Sequence, residues 1–253
     1  MIKILAIGNS FSEDATTYLH DMALSGGIDT KIVNLYIGGC SLKFHFENIE
    51  KDIKGYQYQL NGVATNRVVS IKEALIEEDW DYVTLQQASH DSGILETYIP
   101  YFSLVSEYVK KYVPNATQLI HQTWAYGVGS DHSAFPLYNC SQLKMYDALT
   151  DAYHYISKMS GLGMIPSGKL IQTLRETNRF DLPNSEITLL RDGFHLSYIY
   201  GRYAIAALWY TLLLEDNIIE NEFIPKCNNC DNNINQNIIN LIKQIIMPEI
   251  LKK

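Results

Sequence analysis

The chain has 253 residues, of which 47% are hydrophobic and 19% charged, and this length suits one large α/β domain or two small ones. Its formal net charge of −8 argues against a general nucleic-acid binder, because no basic stretch is present to neutralise phosphates. No apolar run is long enough to predict a membrane span, and the first is too short for a signal peptide. We therefore expect a cytoplasmic protein that acts on small molecules.

The first predicted strand, residues 3–8, is an apolar run that ends in glycine and delivers Asn9 and Ser10 to its carboxyl end. That edge of an open parallel sheet is where ligands bind. After a loop, Asp14 or Thr16 is predicted to cap a helix, so Ser10 lies near a helix start, where backbone N–H groups favour an anion. Ser10 is a candidate nucleophile, although an ordinary turn residue has the same local pattern.

A second turn at the same sheet edge follows the next predicted strand, residues 31–37. Gly38 and Gly39 come directly after it, and two glycines permit positive φ and leave backbone N–H groups available to a ligand. His45, further on, is interpreted as structural rather than catalytic. The alternating pattern of residues 55–62 predicts a short surface hairpin.

Polar and aromatic residues follow the next two predicted strands. The strand over residues 80–85 ends in a dense polar run, residues 86–93, which is a candidate part of a site. The strand over residues 118–122 leads to Trp124 and Tyr126, which either wall a substrate pocket or simply pack against the protein.

The rest of the chain continues the alternation of strands and helices, which predicts parallel strands joined by right-handed crossovers. The predicted elements are helices over residues 70–78 and 96–112, a loop over 129–138 that could act as a lid, a helix over 141–160, a strand over 164–166, and helices over 169–176, 198–214 and 234–246. Cys227 and Cys230 have metal-ligand spacing, but a zinc site needs two more ligands, so free thiols are favoured. The simplest interpretation is one domain over residues 1–253, with residues 217–253 as a helical extension packed on it.

An Asp and His pair near the end of the chain completes a candidate catalytic set. Asp192 and His195 are separated by three positions with Gly193 between them, so a short turn brings both side chains to the same side. A serine hydroxyl needs a base to remove its proton, and the base needs a third group to fix its tautomer. Ser10, His195 and Asp192 are therefore candidates for nucleophile, base and orienting carboxylate.

These residues resemble sequence blocks of the SGNH hydrolase superfamily, also called GDSL. Residues 8–12 look like its first block, with Asn9 where most members have Asp, and residues 192–195 match its Asp-x-x-His block. Residues 34–39 resemble its second block, which implies an oxyanion-hole donor at Gly39, beside that of Ser10. The resemblance implies an α/β protein with a three-layer α/β/α sandwich around a flavodoxin-like, five-stranded parallel sheet.

The third block departs from the superfamily pattern. Many members have a Gly-x-Asn-Asp turn where this chain has residues 85–91, reading Leu-Gln-Gln-Ala-Ser-His-Asp. A glutamine near this point is similar to some sugar-ester esterases of the superfamily. The resemblance therefore implies that Gln86 supplies a side-chain N–H to the oxyanion hole, with Gln87 or His90 as alternatives.

The resemblance implies a serine esterase for small carboxylic esters, above all acetyl esters of carbohydrates, with no cofactor and no metal. The expected partner is a small-molecule ester, an acylated sugar, with no nucleic acid and no membrane; the oligomeric state is left open. Trp124 and Tyr126 are candidate substrate contacts. Two alternatives use the same fold: a non-catalytic ligand-binding relative and an O-acyltransferase. A flavodoxin-like nucleotide binder is disfavoured, because the first turn lacks the threonines and glycines that bind phosphate.

Overall fold

A central sheet organises the structure, a computed structural model that describes residues 1–181, 187–226 and 234–251. Its strands are β1 (Ile2–Gly8), β2 (Thr30–Tyr36), β3 (Tyr56–Leu60), β4 (Val63–Val69), β5 (Tyr82–Leu85), β6 (Thr117–His121) and β7 (Gly163–Ile165). Their order across the sheet is β4-β3-β2-β1-β5-β6-β7. The strands β2, β1, β5, β6 and β7 are parallel, which confirms the predicted five-stranded core of the sandwich.

Helices flank the sheet in two groups. The helices are α1 (Ser10–Thr16), α2 (Leu19–Ser25), α3 (Leu42–Glu50), α4 (Ile71–Leu75), α5 (Tyr101–Tyr112), α6 (Gln142–Ser160), α7 (Ser167–Glu176), α8 (Tyr200–Leu213) and α9 (Gln236–Leu251). α3, α4 and α5 pack together, whereas α1, α2, α7 and α9 pack around α8 or against its neighbours. α8 is apolar on nearly every side and is almost entirely buried, as expected for a helix covered by other helices.

The predicted hairpin is longer than expected and belongs to the central sheet. β3 pairs antiparallel with β2, and β4 pairs antiparallel with β3. The turn is formed by Asn61 and Gly62, which both have positive φ, as a two-residue hairpin turn requires. Tyr56 and Tyr58, both on β3, are buried. The alternating pattern therefore reflects a strand that covers one edge of the parallel core.

The last helix packs against the rest of the protein through its apolar face. Ile238, Ile239, Ile242 and Ile246 of α9 are buried, and α9 contacts α7 and α8. Within residues 1–181, 187–226 and 234–251, none of the helices combines the length and the apolar character needed to cross a bilayer. The predicted free thiols Cys227 and Cys230 lie outside the described residues.

Candidate active site

The candidate nucleophile is the first residue of α1, which follows β1 without a loop. The side chain of Asn9 caps the helix by accepting the backbone N–H of Phe11 at 3.0 Å. The cap predicted at Asp14 or Thr16 for a helix after a loop is wrong, because both residues lie in α1 and the next helix, α2, has Tyr18 at its N-cap without a side-chain hydrogen bond. Ser10 consequently extends directly from the carboxyl edge of the sheet.

The tight junction between strand and helix depends on Gly8. A Cβ atom at this position would lie 2.4 Å from Ser12 Oγ and 2.9 Å from Gln86 Cδ. Such distances are far shorter than van der Waals contact, so any larger residue would displace the start of α1. The glycine that ends the first apolar run is thus needed to place Ser10.

Three side chains predicted to act together form one continuous hydrogen-bonded series. His195 Nε2 lies 2.9 Å from Ser10 Oγ, and His195 Nδ1 lies 2.7 Å from Asp192 Oδ2. The other carboxylate oxygen, Oδ1, accepts the backbone N–H of His195 at 2.7 Å and that of Phe194 at 3.2 Å. The 190–197 loop therefore presents the carboxylate and the imidazole as one unit to the start of α1.

The electrostatics of this unit favour an ionised Asp192. Partial burial acts to raise the pKa of this carboxyl, but the hydrogen bonds from the His195 side chain and from the backbone of His195 and Phe194 outweigh it. The net effect is a pKa below the ordinary value. An ionised carboxylate accepts a hydrogen bond from the Nδ1–H group of the imidazole, which leaves the Nε2 lone pair facing the Ser10 hydroxyl.

Two backbone N–H groups beside Ser10 are available to an oxygen. Gly39 lies in the turn after β2 with φ of +62°, a conformation that favours glycine. Asn9 Nδ2 donates to the carbonyl of Cys40 at 3.1 Å, which ties this turn to the start of α1. Within the described part of the chain, neither the Ser10 N–H nor the Gly39 N–H has an acceptor. The geometry thus leaves both donors open to the crevice.

The crevice around Ser10 has a volume of about 310 Å³ and a lining of mixed polar and aromatic residues. Besides Ser10, Gly39 and His195, its walls are formed by Phe11, Glu13, Tyr36, Gly38, Ser89, His90, His132, Arg191 and Phe194. Burial, with the nearby charges of Glu13 and Asp14, raises the pKa of Tyr36, so its hydroxyl stays protonated. No cluster of His, Cys, Asp and Glu suited to a metal ion occurs among residues 1–181, 187–226 and 234–251.

Gln86, predicted as an oxyanion-hole donor, is not part of the crevice lining. Its Nε2 donates to Asn9 Oδ1 at 2.8 Å, and its Oε1 lies 2.8 Å from His121 Nδ1. The side chain points beneath the nucleophile turn instead of into the crevice. Its observed contacts orient Asn9, which in turn contacts the Cys40 carbonyl beside the second turn.

Of the two alternatives to Gln86, only His90 lines the crevice. Gln87 is buried, and its Nε2 donates to the carbonyl of Thr97 at 3.1 Å. Its Oε1 accepts the backbone N–H groups of Leu42 at 2.9 Å and of Ala88 at 2.8 Å. Gln87 therefore joins three segments of the fold and does not face the crevice.

Trp124 and Tyr126 support the crevice from behind and do not wall it. Both are fully buried and absent from its lining. The Trp124 indole N–H donates to the Phe194 carbonyl at 2.8 Å, and its ring stacks on Phe11 with centroids 4.4 Å apart. The Tyr126 hydroxyl lies 3.0 Å from Ser89 Oγ. The substrate contacts predicted for these two rings are replaced by contacts with residues that line the crevice.

A buried ion-pair network, which the sequence patterns did not predict, connects the nucleophile helix with the 190–197 loop. Asp14 is fully buried, and its carboxylate pairs with Arg191 at 2.9 Å and Arg202 at 2.7 Å. It also accepts the backbone N–H of Leu196 at 2.8 Å. The signal was the acidic residue one turn after Ser10 together with the arginine beside Asp192, but only the fold brings them together.

His45 lies below the second turn and outside the crevice lining. Its Nδ1 contacts the Tyr56 hydroxyl at 2.8 Å, and burial lowers the pKa of this imidazole to about 3. These contacts are those of a buried neutral side chain, in line with the structural interpretation made from the sequence.

Comparisons with known proteins place the chain among related sequences and folds. A family model described as "Domain of unknown function (DUF4886)" matches residues 3–240. Among curated proteins, none matches the chain. A crystal structure of a DUF4886 family protein from Bacteroides uniformis is similar to this chain with 34% identity and a TM-score of 0.87, covering 99% of this chain and 95% of the other.

More distant structures share the fold. A proposed SGNH hydrolase from Slackia heliotrinireducens is 21% identical, with a TM-score of 0.58 and coverage of 84% of this chain and 98% of the other. A mutant of an acetyl-xylooligosaccharide esterase from Geobacillus is 12% identical, with a TM-score of 0.53 and coverage of 83% and 92%. The resemblance to SGNH hydrolases is thereby confirmed at the level of the fold.

Proposed function

The chain belongs to the DUF4886 family and has the SGNH hydrolase fold, and on this basis we propose that it is a serine esterase. Its proposed substrates are small carboxylic esters, above all acetyl esters of carbohydrates. The observation that carries the proposal is the hydrogen-bonded series from Ser10 through His195 to Asp192. Residues 1–253 are proposed to act as one hydrolase domain.

The proposed reaction starts with proton transfer from the nucleophile. As Ser10 Oγ forms a bond to the ester carbonyl carbon, His195 Nε2 takes the hydroxyl proton, and Asp192 stabilises the imidazolium. The tetrahedral intermediate then breaks its bond to the alcohol oxygen, which receives the proton from His195. A water molecule, deprotonated by the same imidazole, then attacks the acyl carbon. The bond from that carbon to Ser10 Oγ breaks, Oγ takes the proton back from His195, and the acyl group leaves as a carboxylic acid. Each step uses side chains and water, so the proposal includes no cofactor.

The negative charge on the carbonyl oxygen is proposed to be held by the backbone N–H groups of Ser10 and Gly39. Both are open to the crevice, and the loss of one such donor typically lowers kcat about a hundred- to a thousandfold. His90 is the proposed third donor, because it is the candidate from the third block that lines the crevice.

The size of the crevice and the polar groups in its mixed lining support a small, hydroxylated substrate. Its volume of about 310 Å³ suits a short acyl group and a single sugar-sized alcohol better than a long apolar chain. Hydroxyl, carboxylate and imidazole groups in the lining can bond to sugar hydroxyls. The acetyl-xylooligosaccharide esterase that shares the fold supports the same substrate class.

The proposal is tested with p-nitrophenyl acetate and a panel of acetylated sugars. We expect hydrolysis by the wild type and its loss in Ser10→Ala and His195→Ala, with unchanged circular dichroism. Ser103→Ala, an exposed position on α5, is the matched control and should retain full activity. Turnover retained in purified Ser10→Ala would reject Ser10 as the nucleophile, and inertness of the wild type toward the whole panel would favour the non-catalytic alternative. Transfer of acetyl to an added free sugar would instead favour the acyltransferase.

A further inference from the structure

A carboxylate lines the crevice beside the proposed nucleophile. Glu13 lies three positions after Ser10 on α1, and residues at this spacing share one face of a helix. Both side chains accordingly line the same crevice. The proposed reaction gives Glu13 no role.

A series of buried amides holds this carboxylate by one oxygen. Glu13 Oε1 accepts from Gln59 Nε2 at 2.6 Å, and Gln59 Oε1 accepts from Asn34 Nδ2 at 2.7 Å. Asn34 Oδ1 accepts from the Ser12 hydroxyl at 2.6 Å. Gln59 and Asn34 are only 4% and 2% exposed, so the series is fixed by the packing of β2 and β3. It orients Glu13 and leaves Oε2 for another donor.

The position of Glu13 is electrostatically unfavourable for the reaction alone. Negative charge develops on the carbonyl oxygen beside Ser10, and a carboxylate nearby opposes it. Within residues 1–181, 187–226 and 234–251, no ion pair neutralises Glu13, and the arginine of the crevice lining, Arg191, is paired with Asp14. A carboxylate in this place is therefore best explained by a contact with the substrate.

Tyr36 lines the same crevice as Glu13. Its phenol can donate a hydrogen bond and accept one, whereas the carboxylate only accepts. A pair of this kind matches neighbouring hydroxyl groups of a polyhydroxy alcohol, each of which can donate and accept. It does not match a second carboxylate, which would face Glu13 with the same charge.

On the basis of the proposed function, we infer that Glu13 is a specificity-determining residue for the alcohol part of the ester. Its free Oε2 accepts a hydrogen bond from a hydroxyl of a neutral sugar, and its charge disfavours esters of anionic sugars. Gln59, through its bond to Oε1, is the residue that positions it.

The inference is tested with Glu13→Gln and three acetyl esters: p-nitrophenyl acetate, a mono-O-acetylated methyl glucoside, and the corresponding methyl glucuronoside. The variant keeps an oxygen to accept from Gln59 and loses the charge. We expect kcat/KM for the glucoside to fall about tenfold, mainly through KM, since a hydrogen bond to a charged group is worth at least one such factor. Relative to p-nitrophenyl acetate, whose alcohol part has no hydroxyl, the glucoside should therefore become a poorer substrate by at least the same factor, and the preference for glucoside over glucuronoside should shrink.

Glu107→Gln is the matched control, because it makes the same charge change at an exposed position on α5. It should leave all three values unchanged. If Glu13→Gln hydrolyses the three esters in the same proportions as the wild type, Glu13 only stabilises the β3 hairpin and the inference is overturned while the esterase proposal stands. Wild-type inertness toward all three esters would overturn both, and the two failures are therefore distinguishable.

Discussion

Ser10 and His195 meet across one crevice, but two different kinds of structure hold them. The nucleophile side consists of the β1–α1 junction and the turn after β2, linked by buried side-chain amides such as Asn9 and Gln86. The base side is the irregular 190–197 loop, on which the side chains of His195 and Asp192 are 21% and 40% exposed.

The base side is placed by a few tethers to neighbouring segments. The Gly127 N–H donates to the Gly193 carbonyl at 2.7 Å, and the Trp124 indole donates to the Phe194 carbonyl. Asp14 adds the ion pair with Arg191 that joins the loop to α1. The difference teaches that changes on the base side should lower activity with little loss of stability, whereas changes on the nucleophile side should lower both.

The largest expected effect comes from a substitution that disrupts the base side alone. In Asp192→Asn, the amide oxygen can keep the two backbone contacts, but its NH₂ group faces His195 Nδ1 and favours the tautomer with the proton on Nε2. That tautomer cannot accept the Ser10 proton, so kcat should fall on the order of a thousand- to ten-thousandfold.

The melting temperature of Asp192→Asn should stay close to that of the wild type, because the side chain is partly exposed. Asp131→Asn, an exposed position, controls for the chemical change and should retain full activity. A kcat for Asp192→Asn within tenfold of the wild type would contradict the role given to this carboxylate.

The second test breaks the link between the two sides. Asp14→Asn removes the charge that neutralises Arg191 and Arg202 and leaves both guanidinium groups without their partner. We expect a loss of about 3–5 kcal/mol in the free energy of unfolding, the range for breaking a buried ion pair. Urea titration measures it, with exposed Asp21→Asn as control. Stability equal to that of the control would show that the network does not hold the loop.

A lower pH tests the same comparison, because it should reduce the stability of the nucleophile side. Burial lowers the pKa values of His45 and His121 from 6.5 to about 3. Between these pH values the unfolded chain binds more protons than the folded one. The contribution of the two neutral histidines to the free energy of unfolding is therefore fully present above pH 6.5 and is lost as the pH drops toward 3. At pH 5 each histidine should cost about 2 kcal/mol relative to pH 7.

Urea titrations at pH 7 and pH 5 measure this loss. In His121→Gln, the part of the loss that comes from this imidazole disappears, so the difference between the two pH values should shrink by about 2 kcal/mol. An unchanged difference would mean that protonation of His121 does not oppose folding.

The smallest expected effect tests the nucleophile side itself. Asn9→Asp places a carboxylate oxygen opposite the Cys40 carbonyl, where the amide now donates. This change should cost about 1–3 kcal/mol of stability, and loosening of the second turn should lower kcat by about tenfold. A variant with wild-type kcat and stability would show that Asp, which most superfamily members have at this position, serves as well as Asn9 does here.

The sequence predicts the parallel core and the catalytic candidates well, because both depend on local patterns. Alternating apolar runs and turns determine the strand order along the chain, and the spacing of Asp192 and His195 places both on one turn. Their encounter with Ser10 follows from the rule that loops at the carboxyl edge of a parallel sheet meet there.

The directions of single side chains were not predictable in the same way. Gln86 follows β5 immediately, and whether such a residue points into the crevice or below it depends on one position of strand alternation. Trp124 and Tyr126 have the pattern of a pocket wall and of a packed core alike. The 190–197 loop, which is distant in sequence, covers both rings, and they are therefore packed in the core and do not form a pocket wall.

The central claim is that Ser10 is a nucleophile activated by His195. Its most direct test is to treat the wild type and His195→Ala with a fluorophosphonate and to locate the adduct by peptide mass spectrometry. The account predicts a single adduct on Ser10 in the wild type, with labelling at least a hundredfold slower in His195→Ala, in line with the usual contribution of a general base. An adduct on another serine, or equal labelling rates in the two proteins, would contradict it.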